Sequence, residues 1–362
     1  MQQITISDIE PGEMCMLTAL VKSIRLRTTS KDSLYLDIEL ADKTGTIKAK
    51  KWDATREEFQ SMPPNSFVNV VAHGDEYRGT SQLKIKSIAP VSEEDIDPSD
   101  FMPVSRFDID QMVDYLAGTA GSLDDEHYSK LWRVILDDKE FMAQFTRCPA
   151  AMSYHHVFLG GLLEHTCEVI RLCDAIAGIR PELDRALLLS GAFIHDMGKI
   201  QEYTSGPAFQ NRDRGMLLSH IYIVTEMLDG WAAQIEDFPQ DKLDLLKHIA
   251  LSHHGQREWG ATVEPSFPEA IVVHFTDNID AKLNNAKMTI AEDVSDEGDF
   301  TAQPSRMLRR RIYKRTLRPE PDDYNPFGNE DGAGEKTGER KNEKRPEDGP
   351  EQEDGPNLFH RQ

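Results

Sequence analysis

Leu187-Leu-Leu-Ser-Gly-Ala-Phe-Ile-His-Asp-Met-Gly-Lys199 is the stretch on which the fold and chemistry of this chain turn. Its mostly apolar run ends in His195-Asp196, followed by Gly198 and Lys199. The run reads as a buried helix and is too short to span a membrane. A histidine beside an aspartate at the end of such a helix is costly to bury unless a metal or a partner satisfies both. Gly198 is expected in a left-handed C-cap that turns Lys199 back towards the same spot. The set then comprises a neutral nitrogen ligand, a carboxylate able to bridge two cations and a fixed positive charge. It suits the binding of a phosphate over a metal centre. The dipeptide alone is a weak signal, because about one His-Asp pair arises by chance in a chain this rich in both residues. Its companions carry the weight.

At 362 residues, two domains are the default expectation. The start, Met1-Gln-Gln-Ile-Thr-Ile, lacks the basic and apolar regions of a signal peptide, and no stretch is long enough to cross a membrane, so no membrane partner is expected. Cys15, Cys148, Cys167 and Cys173 form no CxxC pair and suggest reduced thiols in a cytoplasm. The net charge of −22 argues against a broad basic docking surface. It is unevenly spread: residues 1–92 are neutral, residues 319–362 carry −7 and the middle carries −15. An RNA substrate is therefore not excluded.

Residues 12–90 read as strands. Leu34, Leu36, Ile38 and Leu40 alternate with Tyr35, Asp37 and Glu39, the period of a half-buried strand. Asp42-Lys-Thr-Gly45 is a turn, Thr46–Trp52 returns, 54–60 suits a short helix, and 67–72 and 82–88 complete five strands. Bends are expected at His73-Gly74 and Arg78-Gly79. Five strands with a helix after the third match the OB-fold, a small barrel that often binds single-stranded nucleic acid. Lys48, Lys50 and Lys51 would track phosphates while Tyr35 and Trp52 stack bases. The competing reading makes Trp52 a barrel plug and the lysines a solvated edge.

Residues 93–102, acidic and containing Pro98, read as a linker, and from Phe101 the pattern turns helical until about Ala291. Within 293–318, Arg306, Arg309, Arg310, Arg311, Lys314, Arg315 and Arg318 suggest a basic helix that either contacts RNA or docks on the acidic middle of the chain. From Pro319 apolar residues nearly vanish, and a disordered acidic tail is expected.

Potential ligands recur through the helical region at His165, His195-Asp196, His220, His253-His254 and Asp277, each on or beside an apolar helical stretch. One histidine on such a helix is ordinarily a satisfied core residue. Five helices each delivering a ligand are hard to explain that way. Imidazole and carboxylate donors without thiolate suit Mn²⁺, Fe²⁺, Co²⁺, Ni²⁺ or Zn²⁺.

His165, His195-Asp196 and Asp277 resemble the H…HD…D signature of the HD-domain phosphohydrolases, and the added His220 and His253/His254 resemble its two-metal members. Four stretches are similar to the YhaM family of bacterial 3′→5′ exoribonucleases: 155–167 (His-His-Val-Phe-Leu-Gly-Gly-Leu-Leu-Glu-His-Thr-Cys), Phe193-Ile-His-Asp-Met-Gly-Lys-Ile, Leu251-Ser-His-His-Gly and His274-Phe-Thr-Asp-Asn-Ile-Asp-Ala-Lys282. That family also places an OB-fold before its HD domain, and the resemblance spans about residues 1–318.

The resemblance implies a multi-domain chain, a small all-β OB-fold barrel (1–92) followed by an all-α HD-domain bundle (103–292). It implies a metal-dependent enzyme that degrades single-stranded RNA from its 3′ end to nucleoside 5′-monophosphates. Single-stranded DNA and a homo-oligomer are left open. Two divalent cations are expected, Mn²⁺ favoured. His165, His195, Asp196 and Asp277 would hold one, and Asp196, His220 and His253 the other, with Asp196 bridging. Lys199 would neutralise phosphoryl oxygens. His254 is a further ligand or orients a leaving group, and His156 contacts the phosphate or is structural. Glu164 is a candidate supporting residue, and Lys282 is either surface or substrate-facing. The alternatives are an HD phosphohydrolase of nucleotides or cyclic dinucleotides, and a non-catalytic RNA-binding protein with a structural metal.

Overall fold

The computed structural model describes residues 4–328, except 78–79, 93–94, 98–99, 102–103, 152–157, 205–209, 294, 296–297, 319–320 and 322–323. Strands β1 (Met14–Thr28), β2 (Leu34–Asp42), β3 (Gly45–Trp52), β4 (Phe67–Tyr77) and β5 (Thr80–Val91) close into a barrel in the order β1-β2-β3-β5-β4. Only β3 and β5 run parallel among these pairs, and helix α1 (Arg56–Ser61) follows β3, which is the OB-fold topology. The alternation read in β2 sends Leu36, Ile38 and Leu40 inward with Leu17, Ala49, Val70 and Leu83. Gly74 lies within β4 rather than at a bend; a side chain there would collide with the Glu10 carbonyl. Arg78-Gly79 falls outside the described residues. The expected linker is pinned at intervals, with Ile96 and Phe101 packed on Leu20, Ala41 and Phe67.

The helical region comprises α2 (Ile109–Gly121), α3 (Glu126–Asp137), α4 (Lys139–Phe145), α5 (Gly161–Ile179), α6 (Arg185–Ile194), α7 (Lys199–Glu202), α8 (Asp213–Ala232), α9 (Gln240–Ser252) and α10 (Pro268–Ala291). Helix α6 is its axis. Asp184 caps it by accepting from Leu187 N, and every residue from Ala186 to Ile194 is buried among α3, α5, α9 and α10. Each large side chain so buried contributes about 1.5–3 kcal/mol. Trp132 stacks on Phe193 with ring centroids 4.0 Å apart and donates its Nε1–H to Ser190 Oγ at 2.9 Å. A Cβ at Gly191 would meet the Ile249 side chain, so this glycine lets α6 and α9 approach closely. That approach brings the two helix ends, His195 and His253, together. Among the described residues no helix is long and apolar enough to cross a membrane. All four cysteines are free and buried.

Two C-terminal expectations need correction. The basic stretch forms no helix: 299–315 is an irregular hairpin, with an isolated bridge between Phe300 and Tyr313 and hydrogen bonds from Thr301 N to Ile312 O and from Ser305 N to Arg310 O. The buried hydroxyls of Thr301 and Ser305 bond to the hairpin's own backbone, which competes with helix formation. The tail also starts later than Pro319. Phe327 is buried against Phe107, ring centroids 5.1 Å apart, and against Tyr115, so one aromatic residue anchors a polar stretch. The rest of the expected tail, 329–362, falls outside the described residues.

Candidate metal centre

Four helix ends and one helix face converge behind α6. His195 lies at the end of α6 and His253 at the end of α9, and each ring turns its Nδ1 to the carbonyl three residues back: Ala192 O at 2.7 Å and Ala250 O at 2.8 Å. A carbonyl only accepts, so in both rings Nδ1 carries the proton and Nε2 presents a lone pair. His165 on α5 and His220 on α8 follow the same rule with carboxylates. His165 Nδ1 is 2.7 Å from Asp280 Oδ2, and His220 Nδ1 is 2.5 Å from Glu202 Oε2. A hydrogen-bonded Nδ1 that turns Nε2 towards a shared centre is the arrangement that orients metal-ligating histidines.

The Nε2 atoms gather around Asp196. On its Oδ2 side, His165 Nε2 lies 3.2 Å from His195 Nε2, 3.4 Å from Asp196 Oδ2 and 3.3 Å from Asp277 Oδ1. On its Oδ1 side, His220 Nε2 is at 3.4 Å and His253 Nε2 at 3.5 Å. His254 joins His220 and His253, their nearest ligand atoms lying within 4.8 Å of one another. A cation about 2.1 Å from its ligands implies ligand–ligand edges of about 3.0 Å in an octahedron and about 3.4 Å in a tetrahedron. Both sets of spacings fall in or close to that range.

Polar satisfaction points the same way. Among the described residues, Asp196 Oδ1, His220 Nε2, His253 Nε2 and His254 Nδ1 are buried without a hydrogen-bond partner. Leaving four such atoms bare would cost on the order of 1–3 kcal/mol each, which favours a ligand among them. Divalent cations fit this donor set.

The electrostatics are those of a tightly coupled cluster. Burial opposes ionisation of Asp196 and Asp277, yet Lys199, His195 and His165 outweigh it at Asp196, and His165 and His195 at Asp277, holding both carboxyls well below their usual range. Burial likewise opposes a charge on His165, but Asp196, Asp277 and Asp280 raise its pKa. His254, desolvated and facing His253 and His220, is pushed down to about 2 and stays neutral, as a ligand must.

Gly198 departs from expectation. It sits at φ −61°, ψ −18°, a right-handed conformation, and not in a left-handed cap. Its role is close approach: a Cβ there would lie 2.8 Å from the carbonyl carbon of His220 and nearer still to its oxygen. Lys199 is turned to the centre by α7, with Nζ 2.6 Å from Asp196 Oδ2. On the facing segment, Ser219 takes φ 62°, ψ 151° within α8, a kink immediately before His220. Strain of this kind concentrates at functional sites.

His156 lies outside the described residues. Glu164 accepts from Ser105 Oγ at 2.6 Å. Asp280 instead bonds to His165. Sequence reading missed Asp280 and Glu202, although Asp280 follows Asp277 by three residues, one turn along α10. In the barrel, Tyr35 and Trp52 pair across β2 and β3 with rings 4.9 Å apart, and Trp52 is exposed, so it is not a plug. Lys48 and Lys50 share the outer face with Trp52 but lie opposite Glu39 and Asp37. Lys51 belongs to the other face and pairs with Glu58 at 2.8 Å, which removes it from any phosphate track.

Comparison with known proteins gives this arrangement a context. The HD domain profile matches residues 162–282. The 3′-5′ exoribonuclease YhaM of Bacillus subtilis (strain 168) is 33% identical over 309 residues, covering 85% of this chain and 97% of that protein. The 3′-5′ exoribonuclease YhaM of Listeria monocytogenes serovar 1/2a (strain ATCC BAA-679 / EGD-e) is 30% identical over 311 residues, covering 86% and 98%. The second OB-fold domain of replication protein A from Methanococcus maripaludis, solved by NMR, aligns at 14% identity with 25% of this chain and 96% of its own, with a TM-score of 0.22. With an OB-fold barrel, an HD domain and relatives 30–33% identical over nearly their whole length, the chain belongs to the YhaM family of 3′-5′ exoribonucleases.

Proposed function

We propose that the centre holds two divalent cations, Mn²⁺ favoured, and that the chain degrades single-stranded RNA from its 3′ end in the cytoplasm, releasing nucleoside 5′-monophosphates. The observation that carries this is the set of four buried, unpartnered donor atoms around Asp196. His165, His195, Asp196 and Asp277 would hold one ion, and Asp196, His220, His253 and His254 the other, with Asp196 shared between them. Bound there, the cations supply Lewis acidity for activating water and neutralising phosphoryl oxygens.

The chain's own residues do the rest. Asp280, Glu202 and the carbonyls of Ala192 and Ala250 hold each imidazole in the tautomer that presents Nε2. Lys199 keeps a positive charge beside Asp196, where a phosphoryl oxygen would arrive. Water adds to the terminal phosphorus and the 3′-oxygen of the penultimate nucleotide leaves, which yields a 5′-monophosphate. Tyr35 and Trp52 on the barrel offer a stacking platform for upstream bases.

The test uses 5′-labelled RNA and matched DNA, resolved over time on a sequencing gel, with product identified by chromatography. A ladder shortening from the 3′ end, nucleoside 5′-monophosphate product, loss on chelation and better recovery with Mn²⁺ than Mg²⁺ are expected. Full activity in excess chelator, or in folded Asp196→Ala, would refute the reading.

A further inference from the structure

The cavity that opens onto the metal centre is about 580 Å³, a volume that suits a ligand of nucleotide class, and its walls come from three separate parts of the chain. Asp196 and Lys199 form the floor and Asp277 and Lys282 of α10 one side. Trp259, on the short 3₁₀ turn Arg257–Trp259, forms another. The remaining wall is Met307 to Arg310, the tip of the C-terminal hairpin.

The hairpin is built to stay there. Ser305, 2% exposed, donates its hydroxyl to Asn285 Oδ1 at 2.5 Å. Asn285 follows Asp277 on α10 by eight residues, about 12 Å along the helix. Nearer the hairpin's base, Lys314 donates to Asp293 Oδ2 at 2.8 Å and to Ser295 O at 2.7 Å. The base is thus neutralised by carboxylates. The tip is not: Arg309 and Arg310 are exposed and make no ion pair among the described residues. Arg309 also sits at φ 53°, an unfavourable conformation for a residue with a Cβ, held by its N–H bond to Ser305 O at 2.8 Å. A chain of net charge −22 has carboxylates to spare, yet it leaves two guanidinium groups free at the rim of a site floored with carboxylates.

Trp259, which lines the same cavity, is 52% exposed. Lys282 Nζ lies 5.9 Å from its ring centroid. An exposed aromatic face, a lysine and two unpaired arginines around one cavity are the elements that bind a single-stranded nucleotide: stacking for the base, cations for the phosphates.

We propose that Trp259, Lys282, Arg309 and Arg310 form the subsite that captures the 3′-terminal nucleotide of the substrate strand, Trp259 stacking on the base and the arginines binding the phosphates that flank it. This rests on the exoribonuclease reading of the centre. It gives that reading a physical basis for end selection, because the hairpin closes part of the cavity wall beside the metal centre.

The test is binding, measured with chelator present so that no hydrolysis occurs. Probes are a fluorescein-labelled linear oligoadenylate with a free 3′-hydroxyl and a circular oligoadenylate of the same length. Variants are Trp259→Ala, Trp259→Phe and the double variant Arg309→Gly/Arg310→Gln, glycine being chosen because it accepts the positive φ. For the linear probe, Trp259→Ala is expected to raise Kd about tenfold. Trp259→Phe, which keeps a π face, should stay within about threefold. The arginine double variant should raise Kd about tenfold or more and flatten the salt dependence of log affinity by about 1.4. For the circular probe, wild type and variants should bind alike. In a Trp52→Phe background, Trp259 fluorescence should be quenched by the linear probe only.

Variant affinities equal to wild type on the linear probe overturn the subsite. Equal losses on linear and circular probes overturn its assignment to the 3′ end. If a variant fails to fold, the quenching experiment on the Trp52→Phe protein decides alone. The parent reading fails separately: wild type that leaves labelled RNA intact with Mn²⁺ refutes the exoribonuclease assignment whatever the variants bind.

Discussion

Gly198→Ala isolates one contact on which half of the proposed two-metal centre depends. The backbone at Gly198, φ −61° and ψ −18°, suits alanine, so no conformational penalty arises. The cost is steric. The new methyl would meet the His220 carbonyl inside 3.0 Å at all of its oxygen, carbon and Cα positions. Relief requires α7 and α8 to separate by about 1 Å in a close-packed interior. His220 rides on α8 and is tied to Glu202 of α7 at 2.5 Å, while its Nε2 faces Asp196 Oδ1 at 3.4 Å. Metal–ligand distances tolerate only about 0.2 Å, so the site built on His220 and His253 should lose affinity by roughly tenfold or more. The site built on His165, His195 and Asp277 stays. Overpacking of this kind costs about 1–3 kcal/mol, a fall in Tm of roughly 1–4 °C for a chain of this size. Calorimetry and Co²⁺ titration followed by visible absorption read both effects. Gly118→Ala, in α2 with open space around the new methyl, is the internal control and should stabilise by about 0.5–1 kcal/mol. Two equivalents of Co²⁺ bound as in wild type, with unchanged Tm in Gly198→Ala, would refute the close-approach argument.

Asp280→Ala removes the carboxylate that orients His165 at 2.7 Å, and should weaken metal binding about 10- to 100-fold while the protein stays folded; a wild-type Co²⁺ titration would exclude this role. Trp52→Ala should weaken binding of a single-stranded oligonucleotide by about 1–3 kcal/mol without altering metal uptake, and unchanged affinity would assign the exposed Tyr35–Trp52 pair to the barrel surface alone. Asp125 caps α3 by accepting from His127 N and Tyr128 N and pairs with Lys242. Burial pushes its pKa up, but Lys242 and the two N–H groups outweigh burial and hold it below the ordinary carboxylate range. A lowered folded pKa means that the stabilisation is complete above the unfolded value of about 3.9 and is lost as pH falls through the folded one. Asp125→Ala should therefore cost about 1 kcal/mol at pH 7, with the gap to wild type narrowing below about pH 4 in denaturant titrations; a constant gap would contradict the charge-based account.

Sequence alone determined the parts whose signal is local. Alternation in Leu34–Leu40 marks a strand, and the apolar run ending in His195-Asp196 marks a buried helix with polar groups at its end. Side chains that cost this much to bury stand out wherever they recur, so His165, His195, Asp196, His220, His253 and Asp277 read from the sequence as one candidate set, and the fold brings them together. Tertiary structure decided what depends on approach between distant segments. Gly198 looks like a helix cap in one dimension and proves to be a contact with α8. Asp280 and Glu202 look like surface carboxylates until α10 and α7 deliver them to His165 and His220. Glu164, adjacent to His165 in sequence, points away to Ser105, because consecutive residues on a helix diverge by about 100°. The basic stretch from Arg306 reads as a helix by charge, yet buried hydroxyls at Thr301 and Ser305 and a bond to Asn285 fold it as a hairpin over the cavity. A partner 20 residues away and on another element leaves no periodicity to read. Its energy comes from one hydrogen bond and the exclusion of water around it, and both exist only once the chain has folded.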